Sequence, residues 1–272
     1  MTAGWRLTLR ERPPLPLEVG SLNPAALAAL SVAEIELLPL ALGRRRVAVA
    51  EVFKVAGAPG PRLVFAGPCD RLDGIGRGLA SGEIVVEGDA GAEAGAGQAG
   101  GSIRVAGSVG DDAAIGMRAG TLTIAGHAGA FLGAPSPGER LGMRGGFIRV
   151  GGDVGPRAGD RMRRGTILVD GNAGEACGSR MLAGTIAVAG QLGALPGLRM
   201  RRGTLIARCS AEGVPATFAE TGLAELTVFE LMARRLAEAA PWLESLLTTR
   251  PLRRAAGDLA VRGKGELLLA EG

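Results

Sequence analysis

Between Gly82 and Cys209 one short pattern of apolar and polar positions is written seven times. Each copy has a glycine, a small or polar residue, and then two apolar side chains one position apart. The apolar pairs are Ile84/Val86, Ile103/Val105, Leu122/Ile124, Ile148/Val150, Ile167/Val169, Ile186/Val188 and Leu205/Ala207. Side chains two apart share one face of a strand, and Val, Ile and Thr suit a pleated, half-buried surface. The leading glycines stand at 82, 101, 120, 146, 165, 184 and 203, so five intervals are 19 residues and one is 26, an insertion of seven (26 − 19). A fixed period broken by one insertion predicts an all-β solenoid. The residues between copies are too few and too glycine-rich for a helix, which predicts a right-handed parallel β-helix of 19-residue coils. Leucine-rich repeats have a similar period, but their leucine scaffold is missing.

A second register strengthens the prediction. Met117, Met143, Met162, Met181 and Met200 each stand three residues before a leading glycine. Stacked coils bring equivalent residues to about 4.8 Å, so these methionines are expected to form an inward-facing ladder that fills an irregular core. The next position carries Arg118, Arg144, Arg163 and Arg201, with Leu182 interrupting. If the methionines point in, these arginines point out along one edge. Like charges stacked so closely repel, so water and salt, or an acidic ligand or partner surface, must offset them. The four arginines are the candidate binding residues for a polyanion or partner.

The flanks lose the period. Trp5 to Arg10 alternates like a strand. Asn23-Pro24 reads as an N-cap followed by a first-turn proline, opening a short helix over Ala25 to Leu30. Ile35 to Leu40 and Arg46 to Val55 read as strands. The turn-rich Ala56 to Arg62 divides an N-terminal mixed cap, residues 1–61, from the β-helix, residues 62–209. Beyond it, Leu223, Leu226, Val228, Phe229, Met232 and Leu236 predict an amphipathic helix over Leu223 to Ala239. That helix and a closing strand make residues 210–272 a helical cap expected to cover the open end of the last coil. The insertion, Gly133 to Glu139, is expected to bulge as a loop.

Composition narrows the chemistry. With 272 residues, 47% of them hydrophobic, a sizeable core is available. The net charge is +4 (31 − 27), aromatic residues are 3% and there is no Tyr, so neither stacking platforms nor a recognition motif for nucleic acid is present. Cys69, Cys177 and Cys209 are odd in number and form no CxxC pair, which points to a reducing compartment. The apolar stretch Ala25 to Leu42 carries Glu34 and Glu36, so no membrane span is expected, and a cytoplasmic location is simplest. His127 is the one histidine, leaving too few soft ligands for a zinc or iron site. No nucleophile elbow or Walker motif occurs. Gly74-Ile75-Gly76-Arg77-Gly78 imitates a dinucleotide fingerprint, but no helix or ribose-binding acid follows, so it belongs to the solenoid. Asp111, Asp112, Asp153, Asp160 and Asp170 are turn carboxylates, expected to bond nearby backbone rather than a cation. No catalytic residue emerges.

The methionine-containing turn followed by Gly-Thr-Ile-x-Val-x-Gly, as in Gly165 to Gly171 and Gly184 to Gly190, resembles the GXGXG β-helix family. That family includes the C subunit of formylmethanofuran dehydrogenase and the C-terminal end of glutamate synthase. The tail Gly257-Asp258 with Gly263-Lys264-Gly265-Glu266-Leu267-Leu268, and Thr217-Phe218 after the last coil, look like the first of these. An Ala-, Gly- and Arg-rich chain whose lysines are Lys54 and Lys264 suits a high-GC bacterium. The resemblance therefore implies the bacterial formyltransferase/hydrolase complex of one-carbon metabolism, which moves formyl from tetrahydromethanopterin to methanofuran and hydrolyses it to formate. It further implies that catalysis belongs to partners: a zinc-dependent amidohydrolase-like subunit, a formyltransferase subunit and a further subunit. This chain would be a non-catalytic scaffold binding no cofactor alone. One alternative is the C subunit of a molybdenum or tungsten formylmethanofuran dehydrogenase, beside iron–sulfur subunits. The other is a glutamate-synthase-like domain with a flavin- and glutaminase-bearing partner. Methanofuran-type carriers have glutamyl tails, which makes the four arginines candidates for gripping a polyanion by paired guanidinium contacts.

Overall fold

The computed structural model describes residues 3–224, 231, 234, 236, 238, 240–248 and 252–270. The N-terminal elements are β1 (Gly4–Leu9), β2 (Leu17–Glu18), α1 (Pro24–Leu27), α2 (Val32–Glu36), β3 (Pro39–Leu42), β4 (Arg45–Ala48), α3 (Val49–Val52), β5 (Phe53–Gly57), β6 (Arg62–Ala66) and β7 (Leu72–Asp73). The repeats follow as β8 (Glu83–Val86), β9 (Ala99–Val105), β10 (Ala119–Ile124), β11 (Arg144–Val150), β12 (Arg164–Val169), β13 (Thr185–Leu192) and β14 (Thr204–Ser210). The described chain closes with β15 (Ala219–Ala224), α4 (Pro241–Thr248), β16 (Leu252–Gly257) and β17 (Gly265–Ala270). Among the described residues, thirteen strands form one sheet in the order β15-β16-β17-β14-β13-β12-β11-β10-β9-β8-β6-β1-β5, and β4-β3-β2-β7 form a second. The fold is mostly β, and its large parallel sheet is compatible with a β-helix-like architecture.

The register follows the sequence period. Ile84, Ile103, Leu122, Ile148, Ile167, Ile186, Leu205 and Leu267 stack in one parallel column, and all are buried. A second parallel column runs through single bridges linking Ala90, Val109, Ala128, Val154, Ala173 and Leu192, and these pack into the same core. The insertion leaves the stack intact, with Leu122 directly opposite Ile148. Met143 N–H donates to Gly133 O across it at 2.8 Å, where another coil closes the turn with Met162 N–H to Gly159 O. Ala134 still packs in the coil against Ala96 and Ile115, so the excess residues start after Ala134 rather than at Gly133.

The five methionines are completely buried. Their level is held in the preceding coils by Leu79 and Gln98, which are buried too. They also explain the leading glycines. A Cβ on Gly184 would lie 2.9 Å from Met162 Cε, and one on Gly203 2.8 Å from Met181 Cε, while their φ angles are +105° and +107°. Each methionine reaches under the leading glycine of the next coil, and its methyl group fills the space that a side chain there would need.

The flanks depart from expectation in three places. Ile35 to Leu40 is not one strand: Ser31 Oγ accepts from Glu34 N–H while Glu34 accepts from Ser31 N–H at 2.8 Å, a capping box that starts α2. The strand expected over Arg46 to Val55 is broken by α3, where Glu51 accepts from Ala48 N–H at 2.7 Å. Asn23 caps α1 as expected, accepting from Ala26 N–H at 2.9 Å. Strand β1 pairs parallel with β6 and antiparallel with β5, so the N-terminal segment extends the sheet of the repeats.

At the other end Leu223 lies in β15, not in a helix; most of the helix predicted to Ala239 lies outside the described residues. Helix α4 lies against the side of the stack. It packs on the outer face of the sheet, where Ala240 and Leu243 meet Leu168, Ala187, Ile206 and Leu268, and Trp242 Nε1 donates to Asp170 at 2.8 Å. Beside the last repeat strand, β14, the sheet continues with β17, then β16 and β15. The signal for this lies in the outward position between each apolar pair. It is Val85, Arg104, Thr123 and Arg149 in earlier coils, none of them buried, and is both apolar and buried from Leu168 onward, the mark of a strand buried on both faces.

The Met–Gly packing can be tested by substitution. Gly184→Ala should lower unfolding free energy by about 2–3 kcal/mol in urea titration, and combining it with Met162→Ala should cost less than the sum of the two. Cys69 and Cys177 are buried, which pushes each thiol up to about 12, whereas Cys209 is exposed. A thiol-specific disulfide reagent at pH 8 should therefore titrate Cys209 rapidly and the other two only after unfolding; three fast thiols would contradict the packing.

Candidate functional site

The four predicted arginines occupy one level of the stack. Arg118 N–H donates to Gln98 O at 2.7 Å, Arg144 to Met117 O at 2.7 Å, Arg163 to Met143 O at 2.8 Å and Arg201 to Met181 O at 2.8 Å. Leu182 takes the same bond to Met162 O. Arg118, Arg163 and Arg201 are exposed. Arg144 is half-buried and pairs with Glu139 of the insertion at 2.7 Å. Parallel guanidinium groups one coil apart, about 4.8 Å, repel by about 0.9 kcal/mol per neighbouring pair even in water. Bending of the side chains and salt reduce this, but the edge still favours acidic counter-groups.

A second column lies beside the first. Arg161, Arg180 and Arg199 each precede a methionine and adopt left-handed backbone, with φ of +51°, +53° and +56°. The earlier coils place Gly78, Gly97 and Gly116 there. Arg180 is clamped by the buried Asp160 carboxylate, donating through Nε to Oδ1 at 2.9 Å, and Ser179 Oγ donates to the same oxygen at 2.6 Å. The signal for this column is the dipeptide Arg-Met recurring at 161, 180 and 199. Reading only the residue after each methionine misses it.

The remaining candidates are dispersed. Asp111 accepts from Ala130 N–H and Asp153 from Asn172 N–H, each at 2.7 Å, as turn carboxylates are expected to do. Asp170 receives Trp242 and, at 2.9 Å, Arg149. His127 is exposed but not idle. Its Nδ1 accepts from Asp153 N–H at 2.9 Å, so the ring proton of the neutral form sits on Nε2. It is one rung of a ladder in which Asp89, Ser108, His127, Asp153 and Asn172 each accept an N–H one coil on. Among the described residues no three His, Cys, Asp or Glu side chains converge as a metal site, and no helix is long and apolar enough to cross a membrane. Gly74-Ile75-Gly76-Arg77-Gly78 is a coil corner with left-handed φ at its three glycines, and Arg77 pairs with Glu18 and Glu93.

Fold and edge together define a parallel-stacked β protein that presents cations along one corner. No protein-family profile matches the chain. The C subunit of Fhc, the formyltransferase/hydrolase complex of Methylorubrum extorquens, is 44% identical over 86 residues, 31% of this chain and 32% of that protein. The C subunit of the tungsten-containing formylmethanofuran dehydrogenase 2 of Methanothermobacter marburgensis is 33% identical over 95 residues, 33% of this chain and 35% of that protein. These matched segments span about a third of the relatives' length. The crystal structure of the formyltransferase/hydrolase complex FhcABCD from Methylorubrum extorquens, in complex with methylofuran, contains a chain that superposes with a TM-score of 0.93. That match is 40% identical and covers 98% of this chain and 100% of the other. The chain belongs to the family of C subunits shared by formyltransferase/hydrolase complexes and formylmethanofuran dehydrogenases.

The clamp on Arg180 is testable. Asp160→Ala strands the Ser179 hydroxyl and frees the Arg180 guanidinium, and is expected to cost about 2–3 kcal/mol in denaturant titration. A loss below about 0.5 kcal/mol would show that the buried carboxylate contributes little.

Proposed function

We propose that this chain is the scaffold subunit of a formyltransferase/hydrolase complex that passes formyl from tetrahydromethanopterin to methanofuran and releases it as formate. The observation that carries this reading is the full-length agreement with a chain of the FhcABCD crystal structure, at a TM-score of 0.93 and 40% identity. On this reading the repeats are 19-residue coils of a right-handed parallel β-helix over residues 62–209. Residues 1–61 close one end and residues 210–272 the other, and the protein works in the cytoplasm. The chemistry falls to an amidohydrolase-like subunit holding zinc, a formyltransferase subunit and a further subunit. Methanofuran and tetrahydromethanopterin are carriers used by the whole assembly.

The side chains of this chain support that division. Asp111 and Asp153 are consumed by backbone hydrogen bonds, Asp160 and Asp170 by arginines, and His127 by the ladder. The edge of Arg118, Arg144, Arg163 and Arg201 suits the glutamyl tail of a methanofuran-type carrier. Guanidinium groups repeating along it every coil can meet successive carboxylates in paired, charge-assisted contacts.

Intact-complex mass spectrometry of the natively purified protein tests the assembly. Amidohydrolase-like and formyltransferase-like partners without redox clusters are expected. A molybdenum, tungsten or iron–sulfur partner would move the assignment to the dehydrogenase, and a flavin- and glutaminase-bearing partner to glutamate synthase. Reversing the four arginines to glutamate should leave the assembly intact and slow carrier-dependent formyl transfer at least tenfold; unchanged turnover would remove the edge from the reaction.

A further inference from the structure

Another column of side chains stands at the corner of the stack, eleven residues after each leading glycine. It consists of Glu93, Asp112, Phe131, Arg157, Ala176 and Leu195, all with left-handed backbone at φ of +58°, +62°, +62°, +61°, +56° and +53°. The alignment is visible in the backbone. Glu93 N–H donates to Asp111 O, Asp112 to Ala130 O, Phe131 to Pro156 O, Arg157 to Glu175 O and Ala176 to Ala194 O, the same bond repeated one coil at a time. In the first coil this place is taken by Gly74, which the conformation suits. A residue with a Cβ costs about 1–2 kcal/mol there, and strain kept at one place in coil after coil points to a function.

The order of the side chains is antisymmetric about Phe131. One coil before it stands Asp112, and one coil after it Arg157. Phe131 is 39% exposed and Leu195 43%, both large apolar groups left in water. Neither Asp112 nor Arg157 has an ion-pair partner among the described residues, whereas Glu93 is held by Arg77 at 2.6 Å. Burial first, then Glu93 and Asp111, push the Asp112 carboxyl above its ordinary range.

We propose that this column is the interface with a second copy of the chain, related by a two-fold axis through Phe131. The antiparallel copy stacks ring on ring and brings each Asp112 to the other copy's Arg157, two equivalent ion pairs from one self-complementary patch. The patch is confined to these three coils, because Ala176 and Gly74 of the same column are buried within the chain. A parallel copy would set Asp112 on Asp112 and Arg157 on Arg157. The inference does not rest on the function proposed above.

Sedimentation velocity tests this on the full-length chain between about 1 and 100 µM and on the assembled complex. Asp112→Arg and Arg157→Asp should each weaken self-association at least tenfold, with circular-dichroism melts close to wild type. An equimolar mixture of the two variants should dimerise like wild type, because each reversed charge then faces its complement. The interface is overturned by a wild-type chain that stays single both alone and in the complex, by variants that dimerise normally, or by failure of the mixture to recover. Protection of Phe131 by a different subunit in hydrogen exchange of the complex would overturn it as well.

Discussion

The vertical pitch of parallel backbone pairing governs this molecule. Successive strands must lie about 4.8 Å apart, so every residue meets its own equivalent at that distance above and below. A side chain survives only if it tolerates itself as a neighbour. Isoleucine, valine and leucine do, and they form the column from Ile84 to Leu267. Asp, Ser, His and Asn do so at the next turn because each accepts an N–H from the following coil. Methionine does so by reaching under a glycine, whose missing side chain makes room for it.

That constraint makes the stack legible. A period of 19 with apolar residues at fixed places is what self-tolerating columns leave in a sequence, and it specifies the register, the buried methionines and the outward arginines. The flanks are harder because nothing there repeats. The capping box of Ser31 and Glu34 is present in the letters but outweighed by the apolar run that follows it. The short α3 carries no signal beyond Glu51. The site of α4 is written in the switch from Arg104, Thr123 and Arg149 to Leu168, Ala187 and Ile206, a change along the stacking axis that a search along the chain passes over. The second arginine column is equally visible as a repeated Arg-Met pair.

The two halves of the stack solve the charge problem differently. Early coils neutralise locally: Arg62 lies 3.3 Å from Glu83, and Arg77 pairs with both Glu18 and Glu93. In the later coils Asp160 and Glu139 each answer a single arginine. Arg163 and Arg201 of one column and Arg199 of the other have no ion pair among the described residues. The outer face changes at the same place, becoming apolar and covered by α4. Ion pairs thus gather at the first coils, and the arginine edge of the later coils carries few.

Stability alone does not select such an edge. Glycine at Gly78, Gly97 and Gly116 shows that the left-handed position needs no side chain, yet three arginines occupy it later at a cost of about 1–2 kcal/mol each. Together with repulsion between stacked guanidinium groups, this is a sizeable fraction of the roughly 5–15 kcal/mol that typically separates a folded domain from its unfolded state. Neutral or small residues would relieve both terms. Arg180 is answered inside the chain by Asp160; for the others the proposed polyanion role supplies a reason, since guanidinium groups at coil spacing can meet a surface or polymer whose carboxylates repeat on a similar scale. Local rules broken in register, coil after coil, are where a site is expected.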